Sequence, residues 1–291
     1  MKTATEKKGW PRAHKWLLLR RASQLLVLGV FLLGPWFGIW IISGNLSASL
    51  LLEKVPLTDV HIFLQTLAAG HWRPAMELLI GVAIVASFYG LLGGRVFCAW
   101  VCPVNPITDA SAWLRRRFGL KGGAGFSRST RYWLLAMTLL LAFIVGEPLW
   151  ETVNPVTITH RGIIFGMGVG WLMVLGIFLF DLLIAKNGWC GHLCPTGAVY
   201  AIIGKISLLR VRADQRERCT DCMDCFTVCP EPKVISPALK GKEKGFGPVI
   251  ESEACTNCGR CIDACGEEVF RMGLRTPSGE VAPRKSKPRI D

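Results

Sequence analysis

Four long apolar runs partition this chain, and a bilayer is the surrounding that suits them best. They extend from about Ala22 to Ile42, Ala75 to Gly94, Tyr132 to Trp150 and Gly162 to Ala185. Each has roughly the 20 residues needed to cross the hydrocarbon core. The third carries Glu147 and Pro148 near its end, and the fourth is punctuated by Gly166, Gly168, Gly170 and Gly176. Small residues let neighbouring helices approach closely in a membrane. The competing assignment, core helices of a soluble protein, fits poorly with the Trp residues and basic clusters that flank the runs.

Charge then orients the runs. The net charge is +13, from 34 Lys and Arg against 21 Asp and Glu. Counted between the runs, the basic residues fall as 7, 2, 7, 1 and 17 from the N-terminus onward. The positive-inside rule places the three rich segments, with both termini, in the cytoplasm. The charge therefore needs no nucleic-acid partner. Half the residues are hydrophobic, which excludes a disordered chain, and 291 residues exceed a small disulfide-stapled domain. Arg20-Arg21-Ala22-Ser23-Gln24-Leu25-Leu26 also resembles a twin-arginine export signal. The apolar run after it is longer than a signal core, and three more follow, so the Arg pair reads as a positive-inside flank.

All 12 cysteines fall in segments assigned to the reducing side or its membrane edge, which favours metal ligation over disulfides. Cys219, Cys222, Cys225 and Cys229 form C-x2-C-x2-C-x3-C, followed by Pro230. Cys255, Cys258, Cys261 and Cys265 repeat the spacing, with Gly266 in place of the proline. This is the bacterial ferredoxin run for two [4Fe–4S] clusters, in which the fourth Cys of each run reaches the other cluster. One cluster is then expected on Cys219, Cys222, Cys225 and Cys265, and the other on Cys255, Cys258, Cys261 and Cys229. Four-thiolate zinc sites are the alternative, but zinc ribbons rarely space three cysteines this way.

The remaining four cysteines follow the second and fourth runs as Cys98-Ala-Trp-Val-Cys102-Pro103 and Cys190-Gly-His-Leu-Cys194-Pro195. Two C-x3-C-P motifs at matching places suggest an internal repeat of span, loop, span and motif. Such symmetry would gather Cys98, Cys102, Cys190 and Cys194 at one surface. A third iron–sulfur cluster, another soft metal and a reversible dithiol pair all suit four thiolates, and buried structural thiols are the plainer alternative.

The predicted architecture is a membrane α-helical four-span bundle with a C-terminal cytoplasmic α+β ferredoxin-like domain. Its parts are a basic segment over 1–21, a membrane domain over 22–205, a two-cluster domain over 206–270 and a disordered tail over 271–291.

Together the four runs, the paired C-x3-C-P motifs and the two-cluster tail resemble the NapH family, the membrane quinol dehydrogenase component of the periplasmic nitrate reductase system. The resemblance covers the chain from the first run to Cys265. It implies a multi-pass protein of the bacterial inner membrane that carries electrons from ubiquinol toward the periplasm. The implied partners are a periplasmic iron–sulfur protein of NapG type and a multihaem cytochrome of NapC type. Nitrate would be reduced by a separate enzyme, since nothing here resembles a molybdenum site. Related membrane ferredoxins supply electrons for metal-site maturation, which is the second function to weigh. A docking scaffold with structural clusters is the third.

Quinol oxidation needs a proton acceptor near a one-electron centre. No His lies within a run, so a bis-histidine haem is not expected. Glu77, Glu147 and His160 are the candidate quinol-site residues, with Glu151, His61 and His71 also on the outer side. Each also suits a solvated interfacial ring. Asp181, near the inner end of the fourth run, is a further candidate or a partner for Arg95.

Overall fold

The computed structural model describes residues 2–275 except 74, 121 and 167. Two short helices, α1 (Lys2–Lys8) and α2 (Trp10–Ala13), lead into α3 (Lys15–Phe37). The helix stops at Gly38, whose φ of 73° suits a residue without a Cβ. Among the described residues α3 is the one helix long and apolar enough to cross a membrane. It starts earlier than the first apolar run, because Asp263 caps it. The Trp16 and Leu17 amides donate to the two Asp263 carboxylate oxygens at 3.0 and 2.9 Å. The basic segment expected as a flank is therefore helical and docked on the far end of the chain.

The segment after α3 is an antiparallel sheet of β1 (Ile42–Gly44), β2 (Ala48–Leu51) and β3 (Val55–Thr58), in that order. It is followed by α4 (Val60–Ala68), which buries His61 and Gln65. This segment does not stay outside the helices. Asp59, at the start of α4, accepts a 2.7 Å hydrogen bond from the Tyr200 hydroxyl, and His61 lies 3.1 Å from the Thr196 hydroxyl. The second run forms α5 (Met76–Leu92), 17 residues or about 25 Å long. The first C-x3-C-P motif connects α6 (Val96–Trp100) to α7 (Val104–Arg117).

The third run is α8 (Thr130–Val145), which leaves Trp133, Leu140, Phe143 and Ile144 more than half exposed. The fourth run, expected as one span, is two helices. After α9 (Trp150–Val153), helix α10 (Pro155–Phe165) begins at Asn154, whose side-chain oxygen accepts from the Val156 amide at 3.1 Å. It ends at Gly166, and α11 (Gly170–Leu179) starts afresh and continues as a π-helical turn over Phe180–Ile184. Gly166 and Gly168 take φ of 97° and 46°. These glycines, expected to ease helix packing, instead make the turn that breaks the run.

The second C-x3-C-P motif is a π-helical turn over Trp189–Leu193, followed by α12 (Pro195–Ile203). The segments that carry the two motifs meet where Gly94 faces the end of α12. A Cβ on Gly94 would lie 1.7 Å from the Tyr200 carbonyl oxygen, so only glycine fits.

The C-terminal domain is framed by β4 (Leu209–Arg212), with α13 (Asp224–Val228), α14 (Ile235–Lys240) and α15 (Arg260–Ala264) between it and β5 (Arg271–Leu274). The two strands pair antiparallel, Leu209 opposite Leu274. Val211, Ile235, Ile250 and Phe270 fill the core beneath them. The tail expected from residue 271 thus begins with a strand, because Arg271–Leu274 completes the sheet; residues 276–291 lie outside the described residues.

Candidate metal centres

The two cysteine loops of the C-terminal domain wind in the same way. Asp221 and Met223 take φ of 53° and 60° in the first, and Asn257 and Gly259 take 47° and 72° at the matching positions of the second. These left-handed residues turn the backbone tightly enough to face three thiols inward. Cys219, Cys222, Cys225 and Cys265 line one cavity, and Cys229, Cys255, Cys258 and Cys261 line a second. The thiols ring each cavity instead of converging on a point. Among the described residues no three His, Cys, Asp or Glu side chains are grouped as a single-ion site. Ligands spread over several irons suit that arrangement.

A thiol must lose its proton to ligate a metal. Burial opposes this, pushing Cys255 up to about 11 and Cys225 up to about 12. Cys258 differs from these two. Burial raises it too, but the guanidiniums of Arg260 and Arg20 outweigh that and hold it below the usual thiol range. Arg260 donates to the Cys258 sulfur at 3.4 Å and also pairs with Asp109.

The two C-x3-C-P motifs converge as well. Cys98, Cys102, Cys190 and Cys194 line one cavity, closed by Phe97, Val156, Trp189 and Thr196. Arg95, almost wholly buried, fastens it to the C-terminal domain: its guanidinium donates to the Cys190 carbonyl at 2.6 Å and the Ala254 carbonyl at 2.9 Å. Trp100, between Cys98 and Cys102, donates from Nε1 to the Asn257 carbonyl at 3.2 Å.

The chain is similar in sequence to known proteins. Residues 74–121 match the family described as "4Fe-4S binding domain", and residues 218–269 and 187–235 match "4Fe-4S dicluster domain" descriptions. The chain is 50% identical over 277 residues to the ferredoxin-type protein NapH of Escherichia coli K12, covering 95% of each chain. NapH of Haemophilus influenzae is also 50% identical, over 94% of this chain and 95% of its own. The chain belongs to the NapH family. The methylamine utilization ferredoxin-type protein MauN of Methylorubrum extorquens is likewise 50% identical, over 92% of both chains. No solved structure matches. Tandem 4Fe–4S ferredoxin-type domains are thus present in this NapH-family chain.

The acidic and histidine candidates scatter. Glu77 and Glu147 are exposed. His160 is fully buried, edge-on to Phe31 at 4.5 Å, and neither ring nitrogen finds a hydrogen-bond partner among the described residues. Glu151 accepts hydrogen bonds from Ser47 and Thr157. His61 reaches inward to Thr196, in the wall of the four-thiol cavity, and its other nitrogen lies 3.2 Å from the Thr138 hydroxyl. His71 is exposed. Asp181 accepts from the Trp189 amide at 2.9 Å, while Arg95 bonds elsewhere.

Sequence reading passed over Asp109 in this NapH-family chain, although it is the one acid in the basic helix α7. It binds Arg20, Arg21 and Arg260 together. Burial opposes its charge, but Arg260 and the other two guanidiniums hold its pKa below the usual carboxylate range.

Proposed function

We propose that this chain is a membrane electron-transfer protein that exchanges electrons with ubiquinol and serves a periplasmic nitrate reductase. One [4Fe–4S] cluster is held by Cys219, Cys222, Cys225 and Cys265, and the other by Cys255, Cys258, Cys261 and Cys229. Cys98, Cys102, Cys190 and Cys194 hold a third. The observation that carries this reading is the linkage between cavities. Trp100 joins the first C-x3-C-P motif to the loop between Cys255 and Cys258, and Arg95 joins the second motif to the residue before Cys255. Two four-thiol sites tied by hydrogen bonds, one of them built from the same cysteine runs as the third, suit a relay better than separate structural posts.

The chain crosses the inner membrane through α3, α5, α8 and the α11 segment, with both ends cytoplasmic. The exposed apolar faces of these helices and the charge asymmetry of their connections support this. Electrons pass to a periplasmic iron–sulfur protein of NapG type and a multihaem cytochrome of NapC type. A second reading draws on MauN, whose name ties it to methylamine utilization at equal identity. On that reading the chain supplies electrons for maturing another respiratory enzyme's metal site.

Redox-titrated EPR with iron quantitation tests the proposal. Three clusters predict about 12 Fe per chain and two predict about 8. About 8 Fe with unaltered spectra in Cys98→Ser would remove the third cluster. Unimpaired electron flow in chains lacking ferredoxin cysteines would remove the relay itself and leave a scaffold.

A further inference from the structure

A cavity of about 500 Å³ lies where α3, α7 and the C-terminal domain meet. That volume falls within the range of small-molecule sites. Its position ties it to a redox centre. Arg260, in its wall, donates to the Cys258 sulfur at 3.4 Å, and Val228 and Pro230, also in its wall, flank Cys229 in the chain. Both cysteines belong to the set around one cavity. An occupant would therefore sit one side chain away from that cluster.

The lining is of two kinds. Leu17, Ala110 and Trp113 are apolar and open outward, with Trp113 59% exposed. Beside them on the same helices stand Arg20, Arg21 and Arg116, and with Arg260 these outnumber Asp109 and Asp263. Guanidinium N–H groups only donate hydrogen bonds, so a lining that carries four of them favours an oxygen-bearing guest. The combination matches a flat apolar ring with carbonyl oxygens at its edge and an apolar tail that leaves past Trp113.

We propose that this cavity binds the quinone head group, next to the cluster on Cys229, Cys255, Cys258 and Cys261; the proposal rests on the quinol-linked reading above. Guanidinium donors hold the ring oxygens, and Trp113 packs on the ring or its tail. Cys229, Cys255, Cys258 and Cys261 would hold the cluster that takes the two quinol electrons one at a time, and Cys219, Cys222, Cys225 and Cys265 the one that would take over the first. Both protons leave to water at the cavity mouth. In reverse, one electron from each reduced cluster and two protons from water convert the quinone to quinol.

The test uses the full-length cluster-loaded protein in nanodiscs, reduced with dithionite and mixed with decylubiquinone in a stopped-flow instrument. Cluster reoxidation is expected to saturate with decylubiquinone concentration. Ala110→Trp, which fills the cavity from an exposed position, should slow it about tenfold or more, some 1.4 kcal/mol. Arg116→Gln, a milder change, should raise the half-saturating concentration severalfold. Ferricyanide should reoxidise all three proteins equally. Unaltered decylubiquinone kinetics in both variants would overturn the site while leaving the quinone reading intact. Failure of decylubiquinone to oxidise even the unmodified protein, with ferricyanide still effective, would remove the quinone reading itself. Native mass spectrometry supplies the remaining outcome. A phospholipid retained by the unmodified protein and lost from Ala110→Trp, with unchanged quinone kinetics, would make this a lipid site and overturn the proposal.

Discussion

The two cysteine loops of the C-terminal domain share a spacing and a backbone path, yet they meet opposite surroundings. The first buries Cys225 but leaves Cys222 exposed; the second buries Cys258 and Cys261 and packs Gly259 against Trp16 of α3. The residue after the second cysteine shows what this costs. Met223 adopts the left-handed conformation without glycine, so φ alone does not demand glycine at the matching Gly259. Packing does. A Cβ on Gly259 would lie 2.4 Å from Cγ of Trp16, at the start of α3. The same loop is free to carry a side chain where it faces water and forbidden one where it faces the helices. One cluster site is thus built for access from outside, and the other for contact within the molecule.

Making the loops alike is the strongest way to break this difference. Gly259→Met should push Trp16 away and destabilise the protein by about 1–3 kcal/mol, as overpacking does. Chemical denaturation would measure the loss, and protease cleavage near Trp16 would locate it. Next in size is Asp263→Ala, which removes the carboxylate cap from α3. A loss of about 1–2 kcal/mol is expected, with the first cluster loop undisturbed in EPR. Stability unchanged in this variant would mean that the cap does not hold the inner side together.

Acid should reach the inner side through Asp109. Its folded pKa is lowered, so its contribution is complete above the unfolded carboxylate value of about 3.9 and is lost as pH falls through the folded value. Asp109→Asn should therefore flatten the acid limb of a stability-against-pH curve and leave the alkaline limb alone. The smallest effect belongs to the outer loop. Met223→Gly relieves a left-handed side chain but frees the unfolded backbone, for a net gain of about 0.5–1 kcal/mol by thermal melting. A loss instead would show that the Met223 side chain matters to the outer loop.

What could be read beforehand divides along physical lines. The cysteine spacings are local, and a tight loop of left-handed residues follows from them. Likewise the two C-x3-C-P motifs, alike in sequence, invited the expectation that four thiols meet, and Cys98, Cys102, Cys190 and Cys194 do share a cavity. Apolar composition was a poorer guide to helix limits. It does not distinguish glycines that pack from glycines that turn, so the break at Gly166 and Gly168 stayed hidden. Long-range partners were hidden more deeply. His61 reads as an outer-side residue, and only the inward fold of its segment brings it to Thr196. Asp109 was legible as the odd acid of a basic helix, but its three arginines come from two distant places, Arg20 and Arg21 in α3 and Arg260 in α15.

The bond between Asp263 and the start of α3 also constrains how the chain is threaded. Trp16 and Asp263 are 247 residues apart in sequence and touch. A direct contact cannot reach through a bilayer, so in a membrane-spanning chain both residues would stand on one side of it. However the intervening chain is drawn, the number of complete crossings between them is even. That parity would hold whichever side faced the cytoplasm.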